Sequence, residues 1–229
     1  MEKAPRVPAL AHPLEVKREY SSDLDGAYLY TLEGRDDVIV RPLNWRGHLA
    51  QGRFHPDWNG ESISATEFAM LSKQHFDKLE RYDVRVPVAF IVADSERNGK
   101  VEDEVFAIVD DVKRDPKPDR AALAAAFASM RKGLLRYYTD TFESGQSYLA
   151  DLFNDSQYVF GKRRQDASDQ LYLVDVEPFI YRGNTVLARI LDSMVHSVDQ
   201  EWGTFKLQDY ESISHGFSAL LDRVRAATI

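Results

Sequence analysis

The chain has 229 residues, enough to bury a full core as one large domain or two closely joined parts. Its 29 Lys+Arg against 37 Asp+Glu give a formal net charge of −8, a surface that repels phosphate backbones and argues against bulk nucleic-acid binding. The absence of cysteine excludes disulfides and thiolate metal sites.

No stretch approaches the roughly 18 apolar residues of a membrane span, so no membrane association is expected. The N-terminal region carries charges and prolines rather than the apolar run of a secretion signal, and a cytoplasmic location is the expectation.

Residues 1–14 are proline-rich and read as an extended segment. Glu15–Tyr20 is a strand candidate, followed by the turn-rich Ser21–Gly26. Ala27–Leu32 (AYLYTL) is aromatic and aliphatic, as strands are, and Gly34–Asp37 reads as a turn before a third strand, Val38–Leu43. These three form an antiparallel meander. The polar loop 44–62 carries His48, His55 and Asp57 together with Trp45, Phe54 and Trp58.

A helix follows, because Phe68, Leu71, His75, Leu79 and Tyr82 recur at three- and four-residue steps. His75 on that apolar stripe reads as a core histidine with its hydrogen bonds met. Val84–Val92 is a strand whose Pro87 suggests an edge or a bulge, and Val105–Val109 is another. Lys113–Pro118 holds two prolines and reads as a hinge. Asp119 caps a long helix burying Leu123, Phe127, Met130, Leu134 and Tyr138.

Leu152–Phe160 and Gln170–Phe179 then bracket a basic hairpin tip at Gly161–Arg164. Asn184 and Asp209 open two final helices. The expected fold is therefore α+β. A sheet-rich N-terminal lobe with one helix (15–112) leads through the hinge to a mainly helical C-terminal lobe with a β-hairpin (113–229).

Several residues invite chemistry and each has a plainer reading. Ser64-Ala65-Thr66-Glu67 is a capping-box pattern, in which Glu67 returns to the N-cap amide. Asp175 and Glu177 alternate with Val174 and Val176, a period of two that places both carboxylates on one face, either a wet face or a metal site. Asp151 closes a turn or acts as a base. His48, His55 and Asp57 resemble zinc ligands without helical spacing.

Taken in order, strand, strand, strand, helix, strand, strand, hinge, long helix, loop and hairpin resemble the protein-kinase-like fold. Val38-Ile39-Val40-Arg41 is similar to that family's Val-Ala-Ile-Lys strand, with Arg41 in the lysine position and Glu67 on the next helix as its pairing glutamate. Leu171-Tyr172-Leu173-Val174-Asp175 looks like the apolar strand that ends in the metal-binding aspartate.

The resemblance implies Asp151 as the catalytic aspartate, with Asn154 and Gln157 flanking the fifth position after it, where the family has its metal-holding asparagine. Gly26 is the single glycine left in the phosphate loop, and Tyr148-Leu149-Ala150 stands before Asp151 instead of a His-Arg pair. These features imply a pseudokinase or divergent kinase that binds ATP and Mg²⁺ between its lobes, with weak or absent phosphoryl transfer to a hydroxyl. The alternative is a non-enzymatic interaction module whose aromatic loop 44–58 meets a protein partner.

Overall fold

Alternating and helical hydrophobic patterns resolve into an α+β architecture with four helices among the residues that the computed structural model describes: 14–20, 27–32, 35–43, 64–94, 104–150, 152, 157–175, 178–201 and 210–228. The strands are β1 (Leu14–Tyr20), β2 (Ala27–Leu32), β3 (Arg35–Leu43), β4 (Val88–Asp94), β5 (Glu104–Asp110), β6 (Lys113–Arg114), β7 (Tyr148–Leu149), β8 (Tyr158–Lys162), β9 (Gln170–Leu173) and β10 (Ile180–Tyr181). The helices are α1 (Ala65–Glu80), α2 (Arg120–Ser144), α3 (Asn184–Glu201) and α4 (Tyr210–Ala226).

The first five strands make one antiparallel sheet in the order β1-β2-β3-β5-β4, with α1 crossing between β3 and β4. Arg41 pairs with Ala107 of β5 in the β3–β5 ladder. Side chains alternate across a strand, so Arg41 shares a face with Leu43 and Ala107. That face belongs to the main core, which also holds Phe68, Phe76 and Leu79 of α1. Position 41 therefore carries a cation on the side where the rest of the chain packs.

α1 starts where its capping sequence says it should. Ser64 is extended, its hydroxyl accepts from the Glu67 amide, and the Glu67 carboxylate accepts from the Ser64 amide at 2.8 Å. α2 is capped by Asp119, whose carboxylate accepts from the Ala122 amide at 2.8 Å, and it ends at Gly145 in the left-handed conformation that glycine adopts freely. Of its expected apolar face, Met130, Leu134 and Tyr138 are buried while Leu123 and Phe127 are only half-buried. α3 and α4 pack Leu187, Ile190, Leu191 and Met194 against Ile213, Phe217, Leu220 and Val224.

Four boundaries differ from the sequence expectation. Arg35–Asp37 belongs to β3 rather than to a turn, because Arg35 is already paired opposite Leu32. The strand expected over Val84–Val92 starts only at Val88: Pro87 has no N–H to donate and contributes its carbonyl to the Asp110 amide at 2.8 Å instead. Lys113–Arg114, expected in a hinge, forms β6 and pairs with β8 to give a three-stranded sheet β6-β8-β9 rather than a bare hairpin.

Finally, the hairpin arms are short. β8 starts at Tyr158 rather than Leu152, and β9 ends at Leu173, so Asp175 lies past the strand. Gly161 sits inside β8, where a Cβ would lie 2.1 Å from the Lys113 carbonyl oxygen.

Candidate functional site

Two regions remote in sequence meet where β3 faces the end of β9. Arg41 Nη1 lies 2.9 Å from Asp175 Oδ1, with the side chains 28% and 41% exposed. The contact is an ion pair rather than an aligned hydrogen bond, since Asp175 Oδ1 is buried and accepts no hydrogen bond. Asp36, on the same strand as Arg41, lies 3.8 Å from Arg164.

Gln157 fixes the backbone on which Asp175 sits. Its carbonyl accepts from the amides of Val174 at 2.8 Å and Asp175 at 3.3 Å, a fork that sets the exit of the chain from β9. The Gln157 side chain is buried at 7% exposure, and its Oε1 accepts no hydrogen bond. Two buried oxygens without hydrogen-bond donors, on Asp175 and Gln157, are therefore carried by residues joined through one backbone contact. Buried polar atoms are almost always satisfied, so such atoms ask for an explanation.

A second network ties the hairpin to the five-stranded sheet. Arg163 lies over the Tyr172 ring at 5.2 Å and contacts both Asp166 and, at 3.3 Å, Asp110 at the end of β5. The Asp166 carboxylate also accepts from the Arg163 amide at 2.7 Å and the Tyr172 hydroxyl at 2.5 Å. Burial alone would raise its pKa, but the hydrogen bonds from Arg163 and Tyr172 outweigh this and hold it at about 2. Gln165 adds a second side-chain contact to Asp110 at 3.0 Å. The basic run thus works as an intramolecular clasp between the hairpin and the five-stranded sheet. Parallel bridging of Arg85 to Tyr172, with the Leu173 amide donating to the Arg85 carbonyl at 2.9 Å, closes the same junction.

Of the residues singled out from sequence, Arg41, Asp175 and Gln157 come together. Glu67 is engaged elsewhere: its carboxylate accepts from both the amide and the hydroxyl of Ser64, and those bonds lower its pKa. The expected Arg41–Glu67 pair gives way to Arg41–Asp175, because the N3 position of a capped helix already satisfies the glutamate. Gly26, Asp151, Asn154, Glu177, the candidate zinc ligands His48, His55 and Asp57, the aromatic loop with Trp45, Phe54 and Trp58, and the expected cap Asp209 lie outside the described residues.

His75 is buried, but only half satisfied. One ring nitrogen sits 3.1 Å from the Ser147 hydroxyl, and Nδ1 has no partner. Burial, aided by Lys78, pushes its pKa down to about 4.

Sequence reading passed over the partners of Arg163 and the hydroxyls of Tyr137, Tyr138 and Tyr158. The first depends on a contact across 53 positions, for which local pattern carries no signal. A signal for the tyrosines did exist. Tyr137 and Tyr138 are adjacent on α2, so they cannot share one helical stripe, yet both are fully buried.

Among the described residues there is no group of three or more His, Asp or Glu placed to hold a metal, and no helix long and apolar enough to cross a membrane. No protein-family model matches the chain, and no curated protein matches it in sequence.

Proposed function

We propose that the chain is a divergent kinase-like protein that binds a nucleotide with Mg²⁺ where the five-stranded sheet meets the mainly helical part, with weak or absent phosphoryl transfer to a hydroxyl. One observation carries this reading: the Arg41–Asp175 ion pair at 2.9 Å. In the kinase-like arrangement the third-strand cation contacts nucleotide phosphates, and the aspartate after the hairpin holds the Mg²⁺ that bridges those same phosphates. Two groups that must reach one triphosphate have to lie within a few ångströms of each other.

The order of elements adds support, with three antiparallel strands, a helix, two more strands, a long helix and a hairpin whose exit bears the aspartate. The donor set also fits Mg²⁺. This hard cation keeps several waters and phosphate oxygens and needs only one or two protein oxygens. The Asp175 carboxylate, whose Oδ1 is ion-paired to Arg41, and the buried Gln157 Oε1, which accepts no hydrogen bond, are of that kind, with Asn154 as a second candidate beside Gln157. When bound, the cation would neutralise charge on the phosphates.

The residues of the chain divide the remaining work. Arg41 contacts phosphate through a planar fork, which reaches and orients differently from a lysine ammonium. Gln157 holds the Asp175 backbone in place through its carbonyl. Asp151 accepts the proton of an attacking hydroxyl, and Gly26 lets the backbone near the phosphates. Glu67 serves α1 as a cap rather than orienting Arg41, which leaves that guanidinium held by the metal-binding carboxylate itself. A phosphate-binding cation so engaged suits binding better than fast turnover.

Thermal unfolding with ATP·Mg²⁺ tests the reading. Ligand at 100 times its dissociation constant adds about 2.7 kcal/mol of stability. The expected result is an upward shift in Tm that is lost in Asp175→Asn. A flat response to ATP, ADP and GTP in the wild type would refute nucleotide binding and leave the interaction-module alternative.

A further inference from the structure

We infer that Asp175 makes the site selective for a polyphosphate presented as its Mg²⁺ chelate, and lets it reject the same anion when free of metal. The inference rests on the nucleotide-binding reading above and adds to it the form of ligand that the site accepts. It concerns binding alone and needs no turnover.

The selectivity follows from two opposite charges at close range. The Arg41 guanidinium is the cation that phosphate oxygens would contact, and the carboxylate 2.9 Å from it is the group that a metal ion would take. A free polyphosphate brings only negative charge. It must draw Arg41 away from Asp175 and then stand beside a carboxylate whose counter-charge it has just removed. A chelated polyphosphate brings both signs. Asp175 then turns to the metal and Arg41 to the phosphate oxygens, so each charge exchanges one partner for another.

The pair is suited to such an exchange. Its two side chains are partly exposed, and the contact is made without an aligned hydrogen bond to Asp175 Oδ1, so it adds little to stability. The backbone on each side is held by other contacts. β3 stays in register with β5 from Val38 to Leu43, with Arg41 opposite Ala107. Past β9, the Gln157 carbonyl accepts from the Val174 and Asp175 amides, and the Leu173 amide donates to the Arg85 carbonyl. Arg163 fastens the hairpin to Asp110 separately. Arg41 and Asp175 can therefore change partners without the two sheets coming apart.

Gln157 works in the same direction. The residue that holds the Asp175 backbone also carries a buried Oε1 that accepts no hydrogen bond. A neutral carbonyl oxygen suits a hard cation and offers nothing to a bare anion.

Calorimetric titration of ATP, once in EDTA and once in Mg²⁺, tests the selectivity. The proteins are the wild type, Asp175→Asn, Arg41→Met and the double variant, with Tm recorded for each. In EDTA, Asp175→Asn should bind ATP on the order of tenfold more tightly than the wild type, partly from the released guanidinium and partly from the removed carboxylate. In Mg²⁺ it should bind more weakly than the wild type. Placed on Arg41→Met, the same substitution should give a gain in EDTA smaller by about two- to fivefold, the worth of an exposed ion pair. Asp175→Ser is carried through the same titrations, so that a folding defect particular to one substitution does not decide the outcome.

No gain in EDTA for either Asp175 variant, where the wild type binds ATP with Mg²⁺, overturns the selectivity and leaves the nucleotide reading standing. An equal gain with and without Arg41 overturns it as well, because plain repulsion by the carboxylate then accounts for the preference. A wild type that binds ATP in neither buffer removes the underlying reading instead.

Discussion

Arg41 on β3 and Asp175 past the end of β9 form a 2.9 Å ion pair that joins the five-stranded sheet to the three-stranded one. Both side chains are partly exposed, so water screens the pair and limits its worth for stability. A double-mutant cycle of Arg41→Met and Asp175→Asn, read by urea unfolding, should give a coupling of about 0.5–1 kcal/mol that shrinks in high salt. A coupling of several kcal/mol would mean that the pair is chiefly a structural bolt.

Gly133 lies inside α2, where alanine would ordinarily stabilise by about 1 kcal/mol. Here a Cβ would lie 2.1 Å from the Tyr82 carbonyl oxygen and 3.1 Å from Val84, because α2 passes directly over the turn after α1. The sign should therefore reverse. Gly133→Ala is expected to destabilise by about 1–3 kcal/mol in chemical denaturation, the cost of an overpacked core. A stabilised variant would show that the two helices do not approach this closely.

Much of the secondary structure was legible because its signals are local. Ser64 with Glu67 and Asp119 before an apolar stripe name two helix starts, and Ala27–Leu32 reads as the strand it is. Signals that depend on a partner were not. β6 is two residues of a Lys-Arg-Asp-Pro stretch that become strand only because Gly161 allows β8 to approach. β7 and β10 are too short for any periodicity. For the candidate site, the resemblance brought Arg41, Glu67 and Asp175 together, and of these Arg41 and Asp175 meet while Glu67 caps α1. That glutamate's local partner Ser64, three residues away, outcompetes a distant one.

The cap itself gives a clean separation of roles. Ser64→Ala should cost about 1 kcal/mol in stability, the usual worth of an N-cap. Glu67→Gln should leave nucleotide affinity unchanged, since the carboxylate is held by Ser64 rather than by Arg41. Fluorescent-nucleotide titration checks this, and a drop of tenfold or more in Glu67→Gln would restore Glu67 to the site.

His75 should set the acid limb of stability. It is neutral in the folded protein down to about pH 4, whereas in the unfolded chain it takes up a proton near its ordinary value of 6.5. The unfolded state therefore binds more protons between these values, so stability rises with pH across that window and is lost as pH falls from 6.5 towards 4. The loss amounts to about 3 kcal/mol for a shift of this size. Urea midpoints measured across this range should fall for the wild type and stay nearly flat for His75→Gln. Asp166 acts lower: its folded pKa of about 2 lies under the ordinary aspartate value of 3.8, so its contribution is present above 3.8 and is lost only as pH drops further towards 2.

Calorimetric titration of ATP, with and without Mg²⁺, tests the central claim most directly. The wild type should bind ATP more tightly with Mg²⁺ present. Asp175→Asn should lose that Mg²⁺ dependence while keeping residual ATP binding, and Arg41→Met should weaken ATP under both conditions. Equal affinities for all three proteins, or the same Mg²⁺ dependence in Asp175→Asn as in the wild type, would contradict a nucleotide site built on Arg41 and Asp175.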